Sequence, residues 1–345
     1  YTYQFYDQAC PHQLSTSSIL QLYLIITSCE CQAWFQTPSV NTIASHCIQM
    51  FQIVGPSLFC SQKCHVTRNT DCFVSSIDTC DCEPIIAVAS SAGSVSLHKV
   101  EEDDIVAVES SIAAGSSFVV ELAWRPGSLS LVACRHDGVV SYWNIHLEDI
   151  FDCTTAHCLF SNDTVHGNSI STVVWNASGS RFATGDGDGV CCLWRADDDR
   201  SSVVPLAKYE MTSPLTTIAF YPDDNDYDWH RGILCFFGTE SGTICAADDA
   251  GKWSVVQELC SCIDYILLYR EKRRIVLLTR NLLMVQLQAQ NDGSYSTLQH
   301  AKLSIPGGSK GKVIKSCCWT IPGVLAAATG DNEIRLWRKR RIVLL

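Results

Sequence analysis

The chain has 345 residues, 47% hydrophobic and 18% charged, which suits a core-forming protein and excludes a disordered one. Its formal net charge of -11 gives general nucleic-acid binding no electrostatic support, and the short basic run at residues 338–341 does not change that. In chain order, the first apolar run, SILQLYLII at 18–26, lacks a preceding basic segment and is too short to span a bilayer. Neither a signal peptide nor an integral membrane segment is therefore expected.

Residues 1–75 carry only five charged side chains, Asp7, Glu30, Lys63, Arg68 and Asp71, and show no sustained alternation or helical stripe. A folded surface normally carries more charge. This Cys-rich stretch is expected to be irregular, or not to belong to the natural mature protein. Cys60, Cys64 and His65, with Cys72, Cys80 and Cys82 beyond, invite a zinc reading. Their spacing matches no standard pair of C-x2-C knuckles, so no metal is assigned. Later cysteines sit in apolar runs such as GVCCLW and SCCWTI and are expected to be buried free thiols.

From residue 76 to 345 apolar strand-like runs alternate with Gly, Asp, Asn and Ser turns. Trp124 and Trp175 are 51 residues apart, as are Trp143 and Trp194. Around each pair the texture repeats: a strand, a turn, a small-residue strand, an Asp-Gly turn, and a strand ending in Trp. Asp-Gly between apolar strands is a hairpin signal, because the turn needs positive φ. Weaker copies occur at 83–100, 215–249, 263–289 and 314–339. The expectation is an all-β chain with little helix and six recognisable units.

This period, with Trp closing the third strand of a unit, resembles the WD40 repeat of β-propellers, for which about seven blades are usual. A missing blade would lie upstream, in the odd segment, or beyond the C-terminus. The resemblance implies a buried relay of His166, nine residues before Trp175, with Thr184, Asp188 and Trp194. Buried Trp and His N–H groups need acceptors, so these four residues are read as structural. The unit around Asp137 and Trp143 keeps two of the four, and the usual Asp after the closing Trp is replaced at Asn144, Arg195 and Arg338.

The stretches GDGDGVCCLWRADDDRSSVVPLAKYEM (185–211), FFGTESGTICAADDAGKWSVVQEL (236–259) and IDYILLYREKRRIVLLTRNLLMVQLQ (263–288) carry a closer likeness. Over about 83–337 the chain resembles the N-terminal propeller of the intraflagellar transport protein 140 family. The family's helical-repeat half is missing, so a piece of a longer or truncated product is expected. KRRIVLL occurs at 272–278 and again at 339–345, which reads as a local duplication or assembly error.

No enzyme signature emerges. PGGSKGKV (306–313) lacks P-loop spacing, DDNDYD (223–228) lacks the Gly and Glu of a calcium loop, and no G-x-S-x-G or H-E-x-x-H occurs. Asp186 and Asp188 lack a nearby base and a cleft, and Asp186 is placed at a turn tip. No cofactor is expected. Lys272, Arg273 and Arg274 are weak candidates for contacting an acidic partner, against a plain solvated hairpin tip.

The resemblance implies a non-enzymatic scaffold of intraflagellar transport complex A. Its partners would be other complex A subunits and ciliary cargo or adaptors. Its locations would be the axoneme, basal body and cytoplasm. It would act in retrograde transport, cilium assembly and receptor delivery. A WD40 adaptor of a vesicle coat or a ubiquitin ligase is the alternative, and a propeller hydrolase a third.

Overall fold

A computed structural model describes residues 4–5, 23–29, 46–54, 57–67, 74–100, 105–112, 117–148, 153–197, 202–221, 235–248, 250–269, 274–290, 293–303, 313–321, 324–329 and 334–338, with most side chains from Val74 onward. These residues contain no helix.

The strands fall into successive antiparallel meanders. The first holds β1–β4 (Gln4–Phe5, Tyr23–Cys29, His46–Val54, Ser57–Thr67). The second holds β5–β8 (Val74–Thr79, Ile85–Ser90, Val95–Val100, Ile105–Ile112) and the third β9–β12 (Val119–Trp124, Ser130–Arg135, Val140–Glu148, Cys153–Asn162). A parallel bridge of Cys153 to Glu109 joins these two at their last strands. Then come β13–β16 (Ile170–Trp175, Arg181–Asp186, Val190–Asp197, Ser202–Glu210) and β17–β20 (Leu215–Phe220, Cys235–Thr239, Thr243–Ala247, Trp253–Glu258). The sixth meander is β21–β24 (Ile263–Tyr269, Arg274–Thr279, Leu283–Ala289, Tyr295–Lys302). The last holds three strands, β25–β27 (Ile314–Ile321, Val324–Thr329, Ile334–Arg338).

The first strands of the meanders lie side by side in the order β5, β9, β13, β17, β21, β25, β1. That is the arrangement of propeller blades around an axis. The six units legible in the sequence are the blades from β5 to β27. The unit expected upstream corresponds to β1–β4, in a stretch where no regular element is expected from composition. Its low charge hid the strands: Lys63 is the one Asp, Glu, Lys or Arg within β1–β4.

The core is divided into wedges between neighbouring blades. Strand β15 shows why its run Val190–Trp194 is apolar. Cys192 and Trp194 face the wedge toward β9–β12, whereas Cys191 and Leu193 face the wedge toward β17–β20. A strand covered on both faces has no polar side to alternate with. Cys134, Cys191, Cys192, Cys235, Cys245 and Cys317 are buried free thiols, as the apolar runs imply.

The hairpin turns between the second and third strands explain the glycines. Gly189 adopts φ +88°, and a Cβ there would meet the carbonyl oxygens of Met211 and Ser213 at 2.7 Å. In β22–β23, where the Asp-Gly signal is lost, Leu282 takes the same left-handed place with φ 67°. Its amide closes the turn on Thr279 O at 2.8 Å.

Candidate functional site

Two sets of polar groups stand out: a buried relay inside one blade, and a ring of bonds between inner strands that leads to a cavity.

The relay is built on β14. Thr184 and Asp186 are two residues apart on a strand and so share a face. His166, from the segment before β13, lays its ring across both. His166 Nε2 lies 2.7 Å from Thr184 Oγ1, and Nδ1 lies 2.8 Å from Asp186 Oδ2. Trp194 Nε1 donates to Thr184 Oγ1 at 2.8 Å. Asp186 Oδ1 accepts the amides of Asp188 and Val190, both at 2.9 Å. Burial lowers the His166 pKa, although bonding to Asp186 pulls it upward. A neutral ring with Nδ1–H donating to Asp186 and Nε2 accepting the Thr184 hydroxyl satisfies every partner.

The expected acid of this relay, Asp188, is corrected to Asp186. β14 runs through Asp186, which turns that carboxylate inward at zero exposure. Asp188 is exposed in the turn, where its Oδ1 accepts from Asn168 Nδ2 at 3.0 Å. Asp186 is therefore not a turn-tip residue. Sealed from solvent and saturated with donors, it cannot reach a substrate, so the two aspartates do not form a catalytic pair. His166, Thr184 and Trp194 are the other members of this hydrogen-bonded set.

Between blades, side chains of one inner strand bond the backbone of the next. Ser76 Oγ accepts from Leu122 N at 3.1 Å, and Glu121 Oε2 from Val173 N at 2.9 Å. Ser171 Oγ donates to Leu215 O at 2.7 Å, Thr216 Oγ1 to Ile263 O at 2.5 Å, and Tyr265 OH to Ile314 O at 3.4 Å. Trp124 and Trp175, the repeat pair of the sequence, have equivalent places. Their Nε1 atoms donate to Asp78 O and Ala123 O on the preceding blade, each at 3.2 Å. No local pattern announces these bonds, because each partner is a backbone group about one blade away.

Where β13, β17, β21 and β25 begin, a cavity of about 510 Å³ opens. Ser171, Leu215, Thr216, Tyr265, Val313 and Ile314 contribute to its wall, with Asp264 and Arg280 at its charged side. Arg280 Nε lies 3.3 Å from Asp264 Oδ1 and Nη1 lies 3.6 Å from Glu240 Oε1. Asp264 is the main cause of the raised Arg280 pKa. The Ser171 and Thr216 hydroxyls are tied to carbonyls of their own and the neighbouring blade.

A family model described as the IFT140 first beta-propeller matches residues 58–231 and 225–341. The chain belongs to that family. The match begins inside β4 and ends just past β27, so it takes in the blades from β5 onward.

Solved structures share the fold at low identity. A chain in the crystal structure of the Mitotic Checkpoint Complex is 13% identical, with a TM-score of 0.63 over 93% of this chain and 84% of that one. Sqt1 of Saccharomyces cerevisiae is 12% identical, with a TM-score of 0.67 over 87% and 80%. Sqt1 from Chaetomium thermophilum is 11% identical, with a TM-score of 0.64 over 93% and 78%. Among the described residues no helix is long and apolar enough to cross a membrane.

Of the basic trio, Lys272 and Arg273 lie outside the described residues. Arg274 opens β22, half-buried, with Nε 3.3 Å from Gln288 Oε1 on the neighbouring strand. That ties it to its own hairpin. The acidic insert at 223–228 and the second KRRIVLL copy also lie outside the described residues.

Proposed function

We propose that this propeller is a non-enzymatic docking platform of intraflagellar transport complex A. It acts in retrograde transport, cilium assembly and the delivery of receptors to cilia. The observation that carries this reading is the family match, which spans the blades from β5 to β27. The cavity between the starts of four inner strands adds a surface suited to a partner's side chain or segment. Energy for movement comes from motors, so the platform needs no nucleotide site of its own. Its partners are other complex A subunits and cargo or adaptor proteins, and it resides at the axoneme and basal body as well as in the cytoplasm.

The test is purification of the tagged full gene product from ciliated cells. Complex A subunits are expected to co-purify in near-stoichiometric amounts. Recovery of coat or ubiquitin-ligase subunits in their place would defeat the assignment.

A further inference from the structure

β5 ends at Thr79, and the chain bends through 81–84 before β6 begins at Ile85. In that bend Cys80 Sγ and Cys82 Sγ lie 3.2 Å apart. The carboxylate of Asp81 lies between them in sequence, and the three potential ligand atoms all fall within 4.8 Å of one another. Among the described residues no other group of three or more such side chains converges.

The neighbouring blade orients this group. Both Asp81 oxygens accept the amide of Gly127, at 2.9 and 3.1 Å, and Cys80 Sγ contacts Ser128 O at 3.8 Å. Cys80 packs against the wedge between the β5–β8 and β9–β12 blades, whereas Asp81 and Cys82 are exposed. An ion can therefore arrive from solvent onto a trio whose inner member and carboxylate are already fixed.

We propose that Cys80, Asp81 and Cys82 bind a thiophilic divalent cation of the zinc class, and that the ion holds the β5–β6 bend in the shape that presents Asp81 to the Gly127 amide. Two sulfurs and one carboxylate oxygen suit zinc and not calcium or magnesium, which take oxygen ligands. Tetrahedral zinc with Zn–S bonds of about 2.3 Å sets its sulfurs roughly 3.8 Å apart. The two thiols need to part by only about 0.6 Å, a small side-chain rotation. A disulfide would instead draw them to about 2.05 Å within a three-residue loop. The Gly127 amide on the carboxylate is the kind of outer partner that holds a metal ligand in place.

The experiment uses the full chain, reduced and stripped of metal, titrated with cadmium as a spectroscopic probe and with zinc in competition. Other thiols of the chain also take cadmium, so the readout is the difference between proteins. In the wild type the first equivalent should produce a thiolate-to-cadmium absorption band, and zinc should raise the melting temperature. Cys82→Ser, at an exposed position, should weaken the first equivalent by at least about tenfold and abolish the zinc-dependent rise. Asp81→Asn should weaken it less. Equal first-equivalent affinity in wild type and Cys82→Ser overturns the site. So does a Cys80–Cys82 disulfide found by peptide mapping of protein isolated anaerobically.

Discussion

Asp186 carries more of the blade's stability than any acid exposed beside it, and replacing it gives a sharp prediction. In Asp186→Ala three donors lose their acceptor: His166 Nδ1–H at 2.8 Å and the amides of Asp188 and Val190, each at 2.9 Å. The imidazole is sealed from water, so its stranded N–H costs about 2 kcal/mol. The two amides lie in a partly exposed turn and cost about 1 kcal/mol each. The total is about 4 kcal/mol, within the roughly 3–5 kcal/mol seen when a buried pair loses one member. For a chain of 345 residues, unfolding entropy of about 2.1 cal/mol/K per residue turns this into a fall of about 5–6 °C in melting temperature.

Asp188→Ala removes one bond at an exposed turn and should cost under about 0.5 kcal/mol. Asp186→Asn keeps an acceptor for the two amides and should fall between them. Thermal melting followed by circular dichroism, with urea midpoints as a check, measures all three. Equal losses in Asp186→Ala and Asp188→Ala, or a loss below about 1 kcal/mol in the former, would refute the relay as drawn.

Other expectations follow from the same polar groups. Buried Arg125 donates to Gly179 O at 2.7 Å and to Tyr142 OH at 3.2 Å and lies over the Trp175 ring, joining two blades. Arg125→Ala should cost about 2–3 kcal/mol in urea unfolding, and Lys should restore little of it, because the forked donors are lost. Glu121 keeps some exposure as a residue, but its carboxyl is enclosed and burial pushes it up to about 8, despite the bond from Val173 N. A carboxyl raised in the fold contributes stability below the unfolded value of about 4.3 that is lost as pH rises toward 8. Glu121→Gln should therefore gain on the wild type across that window in melting curves, and a constant difference would contradict it. His98 and His166 are both held below the ordinary imidazole value by burial. Their contribution is present above about pH 6.5 and is lost as pH falls below it. His98→Gln should flatten part of that slope between pH 7.5 and 5.5.

The propeller is legible in the sequence because its repeat leaves residue-level marks: tryptophans paired 51 residues apart, Asp-Gly turns and a Trp closing the third strand. The acid that joins His166, Thr184 and Trp194 carries no such mark. Asp186 and Asp188 are chemically identical, and only the end of β14 decides which one faces the histidine. The first four strands were illegible for a different reason. A stretch nearly free of charge gives no polar face against which to read a period. The bonds between blades stayed hidden as well, since Ser171, Thr216 and Tyr265 look like ordinary strand residues until the next blade's carbonyl lies beside them.

The proposed service of this propeller on a ciliary transport train is tested by live imaging of the fluorescently tagged full gene product in a ciliated cell, with the gene also depleted. The prediction is tagged particles moving from tip to base, and material accumulating at ciliary tips after depletion. A tag that never enters cilia or basal bodies, with cilia unchanged on depletion, would contradict it.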